Sequence, residues 1–336
     1  MTEETDDFLL DAFGGIIVNS QDDENDANEA VVREANASND NSNQNKPQQN
    51  PDIQYNSRKP KWWKQVAGRT TKAQKQAISN MEAYHLPNIP WGEYYDWSEV
   101  FTECKDSGDK DKDIWLEIGF GQGENVLALA HKYPQRCIIG AEVHEPCLGK
   151  AFQRIQQALE KQQYWNDYVE YKKDNLKPVA RVSEAEPVLT AGDNDSGIAS
   201  DTNLYSNLRI YRGDGVKVLP RIPSNSLTAV LVTFPDPFPK KGHEQWRVIQ
   251  KHSLRDIHRI LKPSGRLFLA TDHEVFHEWS HKIVDQVNQE TQGNDLFIPV
   301  SDAPMRSEWL PAISKYEQKG WDEGRNTHLS CWEAKK

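Results

Sequence analysis

A chain of 336 residues with a formal net charge of −11 carries a prior of about two domains, and acidity of that size argues against a surface for nucleic acid. The charge is not spread evenly, however: residues 1–57 hold 13 acidic and two basic side chains, leaving 38 of each in 58–336. The acidity belongs to a tail, and a neutral body with one local basic patch is compatible with a polyanionic partner.

Within the tail, residues 19–50 consist mainly of Asn, Asp, Gln, Glu, Ser and Ala. They bury too little apolar surface to offset ordering entropy, so disorder is expected. The apolar run at 8–18 is interrupted by Asp11, Gly14 and Gly15. It is too short to span a bilayer and lacks a basic flank, and is read as an incidental patch rather than a partner motif. Cys104, Cys137, Cys147 and Cys331 form no C-x-x-C pair; with no signal or transit peptide apparent, reduced thiols and a cytoplasmic or nuclear protein are expected. From 58 to 75 come seven basic residues, no acid, and the pair Trp62–Trp63. Two readings stay open there: contact with phosphates and unstacked bases, or a solvated basic arm.

A helical pattern over 71–84 is closed by Pro87 and Pro90. Strand and helix then alternate, as a parallel sheet with covering helices requires. Strands are predicted at 113–118, 137–143, 208–212 and 227–234, the last the most apolar and so central. Helices are predicted at 124–133, 145–161 and 253–261. Lys262-Pro263-Ser264-Gly265 is a turn leading into a strand at 266–271. A long helix follows from 274, and 328–332 offers a last strand. Residues 183–207 contain no Lys or Arg and read as a flexible insertion. The expected organisation is a tail (1–57), a basic segment flanking the main domain (58–112), and the main domain (113–336).

After the first strand comes Glu117-Ile118-Gly119-Phe120-Gly121-Gln122-Gly123-Glu124. Glycines at a strand end let the backbone turn tightly and approach a ligand. A nicotinamide site wants G-x-G-x-x-G, with a helix N-terminus facing a pyrophosphate. Here the spacing is G-x-G-x-G, and Glu124 stands where the last glycine would be. An acid there disfavours pyrophosphate and tolerates the cationic, phosphate-free S-adenosylmethionine. Glu142 ends the second strand, where it could accept from both ribose hydroxyls, and Asp214 follows the third, near where an adenine amino group would lie.

The most specific segment is Phe234-Pro235-Asp236-Pro237-Phe238-Pro239-Lys240-Lys241. Alternate prolines fix φ and stiffen a loop that presents Asp236 at the carboxyl edge of the sheet. This segment, Gly68-Arg69-Thr70-Thr71-Lys72-Ala73-Gln74, the glycine loop, Glu142-Val143-His144-Glu145-Pro146, Leu261-Lys262-Pro263-Ser264-Gly265, Ala270-Thr271-Asp272 and Ser314-Lys315-Tyr316-Glu317-Gln318-Lys319-Gly320 occur in that order family-wide. Together, over about 68–332, the chain resembles the bacterial-type tRNA (guanine-N(7)-)-methyltransferases. The resemblance implies a doubly wound, Rossmann-like class I S-adenosylmethionine-dependent methyltransferase fold with a mostly parallel seven-stranded sheet. It implies that S-adenosylmethionine is held by Glu117, Gly119, Gly121, Glu142, Asp214 and Asp236, and that Asp236 is also the catalytic position. It further implies that Lys240, Asp272, Ser314, Lys315, Tyr316 and Glu317 hold the substrate guanosine, and that the partner is tRNA, methylated in its variable loop. Two departures stand out: Ser314 replaces the usual Thr, and Gly242-His243-Glu244-Gln245 interrupts the basic run that normally follows the two lysines.

The nucleophile would be a guanine ring nitrogen with a lone pair and no proton, so no general base is needed. Positioning should dominate, supplying on the order of 7–11 kcal/mol, with Asp236 stabilising the cationic base as it forms and Lys240 contacting phosphate. The overlapping strings His273-Glu274-Val275-Phe276-His277 and His277-Glu278-Trp279-Ser280-His281 imitate a zinc-protease motif. They lack its H-x-x-G-x-x-H continuation, so an exposed polar helix face and no metal are expected. A methyltransferase with another substrate, or a tRNA-binding partner without catalysis, are the competing readings. Removal of residues 1–50 should leave activity intact. Neutralising three or four cations within 58–75 should weaken tRNA binding and flatten its salt dependence by about 0.7–0.9 per lost phosphate contact, with cofactor affinity unchanged. A filter-binding salt titration checks both.

Overall fold

The computed structural model describes residues 69–102, 112–173, 204–300 and 303–336, with side chains from 163 to 173 left aside. The acidic tail, residues 58–68 and 103–111 of the basic segment, Cys104 among them, and nearly all of the expected insertion lie outside the described residues.

In chain order the elements are α1 (Lys72–Asn80), a 3₁₀ turn (Glu82–Tyr84), α2 (Trp97–Val100), β1 (Ile114–Ile118), α3 (Glu124–Lys132), β2 (Cys137–Glu142), α4 (Glu145–Lys173), β3 (Leu208–Arg212), α5 (Gly215–Val218), β4 (Leu227–Thr233), α6 (Lys251–Ile260), β5 (Leu261–Thr271), α7 (Glu274–Gln289), β6 (Phe297–Pro299), α8 (Arg306–Trp309), α9 (Lys315–Asp322) and β7 (His328–Ala334). The seven strands form one sheet in the order β3-β2-β1-β4-β5-β7-β6. β1 to β5 run parallel, and β7 and β6 add an antiparallel edge. This is the doubly wound, mostly parallel sheet that the sequence implied. Its strand order reverses beside β1, and crevices at such reversals, outside the carboxyl strand ends, are where ligands bind.

Every residue of β1 and β2 is buried, as a parallel sheet covered on both faces requires. Period-two alternation divides β1 between two cores. Ile114, Leu116 and Ile118 join Val230, Leu267, Leu254, Ile257, Phe276 and Ile283 under α6 and α7. Trp115 joins Leu231, Phe268, Val126, Leu148, Phe152 and Ile78 under α1, α3 and α4. Each fully buried aliphatic or aromatic side chain adds about 1.5–3 kcal/mol to such cores.

The structure departs from the sequence reading in three places. First, α4 continues to Lys173 rather than stopping near 161, because no glycine or proline intervenes between Gly149 and Pro178. Second, the turn at 262–265 is absorbed into β5 as an irregularity, with Ser264 at φ +59° and a register shift opposite β4. Third, α2, α5, β6, α8 and α9 have no counterpart in the sequence reading, each being eight residues or fewer. Thr71 caps α1 through a reciprocal pair with Gln74, the capping box that its sequence spells.

Packing of α1 on α4 depends on Gly149, where an added Cβ would meet Gln74 Cβ at 2.5 Å. Gly149→Ala should therefore destabilise the fold by about 1–3 kcal/mol, as overpacking does. Urea denaturation followed by tryptophan fluorescence measures it, and unchanged stability would mean that α1 does not pack on α4 as drawn.

Candidate active site

Because β1 to β5 are parallel, their carboxyl ends share one edge, and Glu117, Glu142, Asp214, Asp236 and Asp272 stand at or just past those five ends. The glycine loop follows β1. Gly119, Gly121 and Gly123 all take positive φ (+79°, +61° and +89°), which glycine adopts without steric cost. At Gly119 an added Cβ would meet nothing within 4 Å; at Gly123 it would meet Ala151 Cβ at 2.9 Å. The loop thus leans on α4 at its far end and opens on free space at its near end.

Glu117 lies beneath this loop, 1% exposed. Thr233 Oγ1 donates to its Oε1 at 2.7 Å, and Asn125 Nδ2 does so at 3.2 Å. Its second oxygen, Oε2, is buried without a hydrogen-bond partner, as is Asn125 Oδ1. Burial pushes the Glu117 carboxyl up to about 7, against the pull of those two hydrogen bonds. Unpaired buried oxygens carry a desolvation cost of about 1–3 kcal/mol, and two acceptors beside an open cradle fit the cationic amino group and hydroxyls of S-adenosylmethionine. Glu142 is engaged differently: Oε2 accepts from Gly121 N at 2.9 Å, and Oε1 from Val143 N and His144 N at 2.7 and 2.8 Å. Its carboxyl is raised by burial and pulled back by these amides, so it holds the glycine loop at the carboxyl edge of the sheet. Asp214 caps α5 by accepting from Val216 N.

Asp236 is exposed, and its Oδ1 accepts from Phe238 N at 3.3 Å. Phe234 and Phe238 take positive φ (+45° and +42°), uncommon and strained for bulky residues. Arg247 holds this conformation from within. It is 4% exposed, donates Nε–H to Pro237 O at 2.8 Å and an Nη2–H to Phe238 O at 3.1 Å, and lies 4.8 Å from the Trp279 ring centroid. Lys240 is exposed at the end of the loop.

Of the residues that the resemblance assigns to guanosine, Tyr316 lies on the glycine loop: a Cβ at Gly121 would stand 3.1 Å from its ring. Its hydroxyl is 3.9 Å from Cys147 Sγ. Burial, with Cys147, Glu142 and Glu124 nearby, raises the Tyr316 phenol well above its ordinary range. Ser314 caps α9 by accepting from Glu317 N, and Lys315 is exposed. Glu317 is fully buried, paired with Arg306 at 2.6 Å and accepting from Thr327. Asp272 pairs with Arg325 at 2.8 Å and abuts Gly320. Sequence reasoning missed Thr233, Asn125, Arg306 and the clamping role of Arg247. The first two adjoin motifs already singled out, whereas the others act over separations that no local pattern encodes.

The histidines of α7 do not form the exposed polar face expected of them. His277 and His281 are half-buried: their rings turn toward β7, where both lie within hydrogen-bond distance of Ser330, while the same helix face borders an open groove. No helix among the described residues is long and apolar enough to cross a membrane.

A reversed parallel sheet, a glycine loop without pyrophosphate spacing and acids at successive strand ends define a class I S-adenosylmethionine-dependent methyltransferase. A family model described as "Putative methyltransferase" matches residues 111–329. Among relatives, a tRNA (guanine-N(7)-)-methyltransferase of Corynebacterium diphtheriae is 40% identical over 221 residues, 66% of each chain. That of Shewanella frigidimarina is 31% identical over 258 residues, 75% of this chain and 82% of the relative. That of Chromohalobacter salexigens is 29% identical, over 61% of this chain and 64% of its own length. The chain thus spans slightly under two thirds of the first and third of these relatives. Among solved structures, the aminoglycoside resistance methyltransferase NpmB1 aligns at 16% identity over 70% of this chain and 92% of its own, with a TM-score of 0.38. This chain belongs to the tRNA (guanine-N(7)-)-methyltransferase family.

Glu117 supplies a pH test. Its folded carboxyl titrates near 7, and a cationic ligand favours the ionised form. Binding must then release a proton below that pH and none well above it. Affinity for S-adenosylmethionine should rise from pH 6 to pH 8, approaching about tenfold per unit on the acid side. Glu117→Gln should abolish that slope. Calorimetry in buffers of different ionisation enthalpy measures the proton directly, and a flat profile would remove Glu117 from the cofactor's charge balance.

Proposed function

We propose that this protein transfers a methyl group from S-adenosylmethionine to N7 of a guanine in the tRNA variable loop, with Asp236 as the catalytic residue. The observation that carries the reading is the presentation of Asp236. It is an exposed carboxylate on a proline-stiffened, arginine-clamped loop at the edge where the cofactor-holding acids converge.

Glu117, Gly119, Gly121, Glu142, Asp214 and Asp236 would hold S-adenosylmethionine, which when bound would supply an electrophilic methyl carbon with a neutral thioether as the leaving group. The chain's residues align the reactants and compensate charge. Asp236 faces a base that gains a full positive charge, and a carboxylate fixed in advance stabilises it without reorganising at the moment of reaction. No residue needs to take a proton, since N7 carries none. Arg247 keeps the loop from relaxing toward the less strained conformations that Phe234 and Phe238 would otherwise prefer. Lys240 and Lys315, both exposed, offer cations to the tRNA backbone. Tyr316, Asp272 and Ser314 then define the wall against which guanosine is held, and Glu317, buried and paired with Arg306, fixes that segment from beneath.

Incubation with labelled S-adenosylmethionine and bulk tRNA, then nucleoside analysis, should give 7-methylguanosine. Label in protein or a small molecule with none in tRNA would refute the substrate assignment. Asp236→Ala should slow transfer at least about 10²-fold, more than about 2.7 kcal/mol of barrier. Turnover near that of the parent would leave the loop a structural role only.

A further inference from the structure

On the outer side of the antiparallel edge, two histidines of α7 and a serine of β7 meet at one point. His277 Nε2 lies 3.0 Å from Ser330 Oγ, His281 Nε2 lies 2.9 Å from the same oxygen, and the two nitrogens are 3.2 Å apart. Two hydrogen bonds, one imidazole N–H donating to Ser330 Oγ and the hydroxyl donating to the other imidazole, satisfy all three atoms in the metal-free state. With both imidazoles in the Nδ1–H tautomer, the same geometry leaves two lone pairs converging beside one hydroxyl oxygen.

We propose that the triangle is a transition-metal site of the zinc class, distinct from the methyl-transfer site. It uses the two Nε2 atoms as ligands, with the Ser330 hydroxyl and water completing the shell. Imidazole nitrogens sharing one tetrahedral zinc at about 2.0–2.1 Å stand about 3.3 Å apart, which the observed spacing matches. Residues i and i+4 on a helix reach a common point above its surface, which is what the overlapping H-E-x-x-H strings encode without protease chemistry. The triangle borders an open groove of about 580 Å³ lined also by Glu278 and Asp285, so a hydrated cation has both access and room. Asp285 acts electrostatically on His281 and offsets part of the added charge. The other orienting contacts are in place: His328 stacks on His277 at 4.9 Å, and Trp332 stands 4.9 Å from His281. Among the described residues no three His, Cys, Asp or Glu side chains converge as a metal site. The site therefore has two strong ligands, and micromolar rather than nanomolar affinity is expected.

The test uses the full chain, stripped with EDTA and titrated with Zn²⁺ by calorimetry and with Co²⁺ by visible absorption. One equivalent should bind, with cobalt bands typical of nitrogen ligation. His277→Gln and His281→Gln should each weaken binding at least about tenfold, Ser330→Ala less so, and His131→Ala, at an exposed position elsewhere, not at all. Melting curves of the same variants without metal separate lost ligands from lost fold. Methyl transfer should persist in EDTA. No binding below millimolar metal, or binding that survives the double histidine substitution, overturns the site. Transfer that stops in EDTA and returns with zinc overturns its separation from catalysis.

Discussion

A carboxyl group with almost no water around it organises the centre of this molecule. Glu117 sits on a strand whose every residue is buried, and in a sheet this apolar an ionised side chain is tolerated only if its surroundings compensate it. Half of that compensation comes from the protein: Thr233 from the neighbouring strand and Asn125 from the following helix both bond Oε1. Asn125 in turn reaches Trp309 O, tying the far C-terminal segment to the same point. Oε2 is left without a partner. A fold optimised for stability alone would replace such a group. Its position beneath a glycine loop with open space above argues that the missing half comes from the cofactor.

Around that point the site divides into rigid and adaptable parts. The loop after β4 is held in a strained conformation by three prolines and an internal guanidinium, and strain of this kind persists only where the surroundings over-determine it. The α9 segment is held by one buried ion pair and one cap, while Tyr316 lies across Gly121 with 42% of its surface exposed. One wall is thus fixed before substrate arrives, and the other meets the glycine loop through a ring with room to move. This division suits a reaction in which aligning two bound partners does most of the work.

How much of this was legible in the sequence follows from the range of each interaction. The parallel strands declared themselves through apolar runs, and the acids at their ends through motif position, because both signals are local. The antiparallel edge was legible only at β7. The three-residue β6 ends in Pro299 and offers no pattern. The histidine helix was misjudged for a related reason: spacing places His277 and His281 on one face, but whether that face meets water or β7 depends on a pairing between residues about fifty positions apart. Arg247 is the clearest case. It lies six positions beyond Lys241, and only the folded loop shows it turned inward to the loop carbonyls.

That inward turn bears on the departure from the family's pattern after Lys240-Lys241. Where relatives of this type continue with basic residues, this chain has Gly242-His243-Glu244-Gln245-Trp246. Trp246 packs its ring edge-on to Phe238 at 5.8 Å and lies 4.3 Å from His243, while Arg247 is occupied by loop carbonyls. The segment is the inner support of the loop that carries Asp236. A side chain that is 4% exposed and bonded to two carbonyls cannot also neutralise a phosphate, so any attraction of this edge for a polyanion must come from cations that remain outward. Lys240, Lys241, Lys315 and Lys319 meet that condition at this edge. At this edge the guanidinium is spent on stiffening the loop that presents Asp236, and the outward positive charge is left to the lysines.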